Sequence, residues 1–258
     1  MGFFIFLLIV VAIVVLMVFL NKKKREKAEI EAKEKAEQEA REKIEQEERK
    51  KEWERQEKER EEKWQEDIRT GKVDFDKARG FLNDGLKLLG SGKHYEAIGQ
   101  FTKAIEFNPR YSEAYHNRGI AYKKNGDLDK AIEDYKKALS LNDNDEETMY
   151  NLGLAYMDKK DFDSAYWKFR GVISSPKFYG LNEYIKVGSY MNRGIAKYNG
   201  AINDHDRCEG VGDWIEVLEK DHNNSDAIKM IQWALQTSNS PTLKVFVKGM
   251  LEQRNIRL

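Results

Sequence analysis

The sequence predicts an all-α protein with an N-terminal transmembrane helix, a long charged single α-helix, and an α-solenoid of helix pairs closed by C-terminal capping helices. Three observations lead to this fold class. The chain opens with an unbroken apolar run, continues as a stretch made mostly of Lys, Arg and Glu, and then carries small and aromatic residues that recur every 34 positions. Only three prolines occur in 258 residues, so long helices meet few breaks.

Residues 1–21 are predicted to be a transmembrane anchor. Phe3 to Leu20 are 18 consecutive apolar residues, enough for about 27 Å of helix. A cleaved signal peptide is disfavoured because the basic cluster Lys22 to Arg25 follows the run instead of preceding it. Under the positive-inside rule we expect a single-pass membrane protein that contacts the bilayer through residues 2–20, with its N-terminus outside and the rest of the chain in the cytoplasm.

Residues 22–70 are predicted to form a charged helical stalk. Oppositely charged residues stand four apart with Glu first, as in Glu45/Arg49 and Glu47/Lys51, an order that stabilises helices. Ala28, Ala32, Ala36, Ala40 and Ile44 come every fourth position, whereas a coiled coil needs apolar residues alternately three and four apart. The pattern therefore favours a solvated single helix. A disordered linker and a weak homo-oligomer through the alanine row are the alternatives.

Small and aromatic residues define a 34-residue period over residues 75–180. In each period a glycine is followed by an alanine 12 positions later and an aromatic residue 16 positions later. These residues are Gly85, Ala97 and Phe101; Gly119, Ala131 and Tyr135; and Gly153, Ala165 and Phe169. We place repeats at 78–111, 112–145 and 146–179, each with two antiparallel helices. The spacing resembles that of the tetratricopeptide repeat (TPR), which implies an α-solenoid that binds other proteins.

A degenerate fourth repeat and two capping helices are predicted to follow. Within 181–222, the segment Tyr190–Ala196 closely repeats Tyr115–Ala121, and Cys208 is expected to take the place of Ala131. Residues 223–258 are predicted to be capping helices, which a repeat array needs in order to cover its last apolar face.

The resemblance implies a partner-binding groove lined by the first helix of each repeat. The residues that it places there are Leu86, His116, Asn117, Ile120, Lys123, Lys124, Tyr150, Asn151, Leu154 and Met157. Together they predict an apolar floor with a basic edge, suited to an amphipathic helix or an extended peptide. Packing against a neighbouring helix is the alternative for Leu82 and Leu86. A clamp for a terminal carboxylate is not expected, because Glu147 stands where that clamp carries lysine.

The sequence offers little for catalysis. The crowded segment Asp204–Glu209 contains His205 and Cys208, but zinc needs three or four ligands, and we interpret the segment as part of the fourth repeat. A net charge of zero gives no electrostatic reason to expect nucleic acid. We therefore expect no enzyme activity, cofactor, metal or small-molecule substrate, and predict a membrane-tethered adaptor for a protein or peptide partner. A self-associating spacer is the alternative.

Overall fold

The structure, a computed structural model, describes residues 2–201, 203–221 and 223–256, without the side chains of residues 2–23, 25–32, 34 and 36. The chain divides into two units, Met1–Thr70 and Gly71–Leu258. The helices are α1 Gly2–Arg69, α2 Phe75–Gly90, α3 His94–Phe107, α4 Ser112–Asn125, α5 Leu128–Leu141, α6 Glu146–Asp158, α7 Phe162–Ile173, α8 Glu183–Asn199, α9 Asp204–Lys220, α10 Ser225–Thr237 and α11 Pro241–Gln253. A short 3-10 helix, Phe178–Gly180, precedes α8.

The first unit is the long helix α1. Its side chains from residue 37 to residue 63 are exposed apart from that of Glu57, which is half-buried. The predicted ion pairs Glu45–Arg49 and Glu47–Lys51 are present, with N–O distances of 3.0 and 3.1 Å. Even Ile44 is largely exposed. In the described part of α1 the charged side chains therefore interact along the helix, and no apolar seam is covered.

The prediction of a transmembrane helix over residues 1–21 is corrected by the structure. In the described part of the chain, no helix is long and apolar enough to cross a bilayer. The physical reason is that the described side chains of α1 are mostly Lys, Arg and Glu, which are costly to place in hydrocarbon. The same finding contradicts the predicted membrane contact and single-pass topology. The apolar side chains of residues 2–20 lie outside the described residues.

The second unit is an α-solenoid, as the sequence predicts. Each helix from α2 to α9 packs on the next one along the chain. The first helices of the pairs, α2, α4, α6 and α8, also contact one another in sequence and form the inner layer. The second helices, α3, α5, α7 and α9, form the outer layer, and both α10 and α11 pack on α9.

Glycines let the two helices of each pair approach closely. A Cβ atom on Gly85 would lie 2.5 Å from the Phe101 ring, and one on Gly119 would lie 2.7 Å from the Tyr135 ring. Real Cβ atoms are not found that close to a ring, so the 34-residue glycine and aromatic pattern has a direct steric cause.

The fourth pair keeps this interlock with a different spacing. A Cβ atom on Gly194 would collide with Trp214, which is 20 positions later instead of 16. Gly210, four positions before Trp214, packs against the backbone of Gly194. Gly210 therefore occupies the place that the sequence analysis gave to Cys208.

Candidate functional site

The inner layer presents two cavities along one face. The first, here called the acidic cavity, has a volume of about 500 Å³ and lies between α2, α4 and the start of α6. The second, here called the apolar groove, has a volume of about 490 Å³ and lies between α6, α8 and α10. α6 contributes to both, so the two cavities are neighbours on one surface.

His116 lies in the wall of the acidic cavity and connects two repeats. Its side chain is only 8% exposed, and its Nδ1 lies 2.5 Å from the hydroxyl of Thr148 on α6. That hydroxyl donates to Asp145, so it accepts from His116, and the neutral imidazole carries its proton on Nδ1. Burial lowers the pKa of His116, while the nearby carboxylates raise it by less.

The other predicted residues at this cavity differ in exposure. Asn117 is buried and donates to the carbonyl oxygen of Glu113 at 2.8 Å, whereas Leu86 is 37% exposed. The cavity lining contains the carboxylates of Glu113, Asp145 and Glu147 and no lysine or arginine. The acidic cavity is therefore lined by negatively charged side chains, and Leu86 adds an apolar contact to its wall.

The predicted basic edge lies at the far end of α4. The Nζ atom of Lys123 forms a salt bridge of 3.3 Å with Asp158, so its charge is balanced, and Lys124 is exposed. Ile120 is half-buried against the core around Tyr135. The charge of this edge therefore comes from Lys124 rather than from both lysines.

The predicted residues of α6 differ in what they contact. Tyr150 is buried, and its hydroxyl accepts a 3.3 Å hydrogen bond from Asn192 of α8. Leu154 and Met157 are half-buried and pack against the core of the C-terminal half, and Asn151 is also half-buried. Of this set only Tyr150 lines the apolar groove.

Most residues of the apolar groove were not predicted from the sequence. Its apolar lining besides Tyr150 consists of Tyr184, Val187, Met191, Ile195 and Met230. Two of these residues could have been predicted from the sequence, because Met191 and Ile195 occupy the positions in the fourth repeat that His116 and Ile120 occupy in the second. Met230 belongs to α10, which the sequence analysis treated only as a cap.

Partly buried ion pairs join the two helices of a pair. Arg118 donates to Asp134 at 2.7 and 2.8 Å, and Arg193 makes the equivalent bidentate contact with Asp213. Burial raises the pKa of both carboxyls even with a guanidinium beside each. These arginines are occupied between α4 and α5 and between α8 and α9, so they serve the scaffold.

The residues considered for chemistry, Cys208 and His205, both lie on α9. Cys208 is buried, and burial raises the pKa of its thiol, which disfavours the reactive thiolate. His205 is exposed on α9 and lies 3.4 Å from Glu209. Among the described residues, no group of three His, Cys, Asp or Glu side chains is placed to hold a metal ion.

Three family models match the repeats. A TPR repeat model matches residues 85–126, and two tetratricopeptide repeat models match residues 112–145 and 146–166. The chain therefore contains tetratricopeptide repeats. Proteins built from such repeats generally act as scaffolds rather than as catalysts. No curated protein matches the sequence.

Solved structures share the fold. MamA from Desulfovibrio magneticus RS-1 is 18% identical with a TM-score of 0.55, and the match covers 70% of this chain and 96% of that one. PilF from Pseudomonas aeruginosa is 16% identical with a TM-score of 0.51, covering 69% of this chain and 77% of that one. At these identities the likeness is one of fold alone.

Proposed function

We propose that this protein is a non-catalytic adaptor that binds a segment of a partner protein on the inner face of its repeats. The observation that carries this proposal is the apolar groove, where Tyr184, Met191 and Ile195 line an open cavity between α6, α8 and α10. Open apolar surface of this kind is costly to leave in water, and repeat solenoids use such concave faces for binding.

The predicted groove residues take two roles in this proposal. Leu86 and Lys124 are exposed and contact the partner directly. His116, Asn117 and Tyr150 are buried, hydrogen-bonded side chains that shape the surface between repeats. The half-buried members of the set, Ile120, Lys123, Asn151, Leu154 and Met157, join the second group, because Ile120, Leu154 and Met157 pack against the core and Lys123 pairs with Asp158.

The test compares how well the native full chain and two variants of it capture partner proteins. Tyr184 is 72% exposed at the second position of α8, where glutamate suits the helix dipole, so Tyr184→Glu should fold and place a charge in the groove. Tyr95 is similarly exposed on the outer helix α3, which makes Tyr95→Glu the matched control. Partners identified by mass spectrometry should be retained by the native chain and the control and lost by Tyr184→Glu. Equal capture by all three forms would place binding elsewhere.

A further inference from the structure

The two cavities of the inner face share helix α6. Glu147 lines the acidic cavity, and Tyr150, three positions later, lines the apolar groove. Side chains three apart on a helix are neighbours with Cβ atoms about 5–6 Å apart. A peptide segment seated in the groove therefore extends within two or three residues to the carboxylates, since an extended chain advances about 3.3 Å per residue.

The charges that line the two cavities are of one sign once internal pairs are set aside. Asp226 and Lys229 at the groove pair with each other at 3.6 Å, so their charges cancel. Glu113 and Glu147 are exposed and form no salt bridge with any described residue. Both lie in the first turn of a helix, where they also complement the helix dipole. The interaction with the helix dipole needs no cationic side chain, so both carboxylates can still pair with a lysine or arginine of a partner.

We propose that the inner face binds a partner segment that combines an apolar anchor with basic residues one to three positions away. The anchor enters the apolar groove between α6 and α8, and the lysine or arginine side chains contact Glu147 and Glu113. Rim charges of this kind set the specificity of a complex more than its affinity. The inference rests on the proposed function and adds the chemistry of the partner, which is opposite to that of an acidic peptide terminus.

Selection of short random peptides displayed on phage, with the immobilised full chain as target, tests this inference. We expect the enriched peptides to carry Leu, Met, Phe or Trp with Lys or Arg within three positions, and Tyr184→Glu to abolish their enrichment. A synthetic peptide with an enriched sequence should bind the double variant Glu113→Gln, Glu147→Gln about 3- to 10-fold more weakly than it binds the native chain. Its affinity for the native chain should fall with added salt. The double variant Glu106→Gln, Glu133→Gln removes exposed glutamates from the outer helices α3 and α5 and should bind like the native chain.

The outcomes separate this inference from the proposed function. Enriched peptides that lack basic residues but still require the groove would overturn the inference and leave the proposed function standing. Equal binding by the two double variants would overturn it as well. If the native chain enriches no peptides beyond those that Tyr184→Glu enriches, the proposed function fails, and the inference fails with it. Circular dichroism of each variant confirms that the helices are intact before binding is compared.

Discussion

Lys160 has a backbone conformation that its own side chain disfavours. Its φ is +61°, in the left-handed region, where a Cβ atom crowds the following carbonyl oxygen. Gly92 and Gly126 hold the same place in the two preceding repeats, with φ of +74° and +91°. All three residues form the turn between the two helices of a pair, so the third repeat makes with lysine a turn that the others make with glycine.

Replacing Lys160 with glycine should stabilise the fold. Because glycine adopts a positive φ without the Cβ clash, Lys160→Gly should raise the free energy of unfolding by about 0.5–1 kcal/mol in urea denaturation. Lys160→Ala removes the same charged side chain but keeps the Cβ atom, and it should leave the stability nearly unchanged. An equal gain in both variants would show that the side chain, and not the backbone, is responsible.

His116 should make the stability of the repeats depend on pH. Since burial lowers its pKa in the folded state, the unfolded chain takes up a proton at higher pH than the folded chain does. The contribution of this residue is therefore complete above the ordinary histidine pKa of about 6.5 and is lost as the pH falls through that value towards the folded pKa. We expect the urea midpoint to fall less between about pH 7.5 and about pH 5.5 in His116→Gln than in the native chain. The same fall in both proteins would contradict this assignment.

The contact between a glycine and an aromatic ring is the unit that holds each helix pair. A Cβ atom on Gly153 of α6 would lie 2.7 Å from the ring of Phe169 on α7, whereas one on Gly99 of α3 would meet nothing within 4 Å. Both glycines lie inside helices, so they share the same unfavourable helix propensity. They differ only in what surrounds them.

Alanine at these two glycines should act in opposite directions. Gly153→Ala should lower the free energy of unfolding by about 1–3 kcal/mol, because the ring or the helix must move to admit the methyl group. Gly99→Ala should raise it by about 0.5–1 kcal/mol through helix propensity alone. Urea denaturation of the two variants measures both effects. A stabilised Gly153→Ala chain would mean that the helix pair is looser than the structure shows.

At the scale of the whole molecule, α10 and α11 close the solenoid over α9. Leu243 and Val247 of α11 and Ile231 of α10 are fully buried in the core of the C-terminal half. The hydroxyl of Ser240 accepts a hydrogen bond from the backbone N–H of Leu243, which caps the start of α11. The last helix is therefore built into the core.

Truncation of Leu243 should weaken the whole repeat unit. Leu243→Ala leaves a cavity beneath α11 and should cost about 2–5 kcal/mol in urea denaturation. Val245, two positions away on the same helix, is largely exposed, and Val245→Ala should stay within about 0.5 kcal/mol of the native chain. Similar losses in both variants would indicate that α11 contributes through its helicity and not through burial.

Local patterns predicted much of the architecture. The helix pairs, their order and the glycine and aromatic interlock follow from a 34-residue period, because steric contact inside a pair depends on residues only 16 apart. The packing of the fourth pair was harder to predict, because Trp214 follows Gly194 by 20 residues instead of 16 and Gly210 takes the place expected for Cys208. The transmembrane prediction depends on an apolar run whose side chains lie outside the described residues, and the described part of the chain has no helix able to span a bilayer.

The sequence by itself determined that this chain forms stacked helix pairs with an inner face, because each pair is specified by contacts between close neighbours in the chain. Only the tertiary structure decided which side chains of that face are open and which are used between repeats. His116 bonds to Thr148, 32 residues away, and Asn192 to Tyr150, 42 residues away, so these side chains are used between repeats. The apolar groove needs α6, α8 and α10 together. Such contacts depend on how the repeats stack on one another. The 34-residue pattern reflects contacts inside a helix pair and does not specify which side chains meet between repeats.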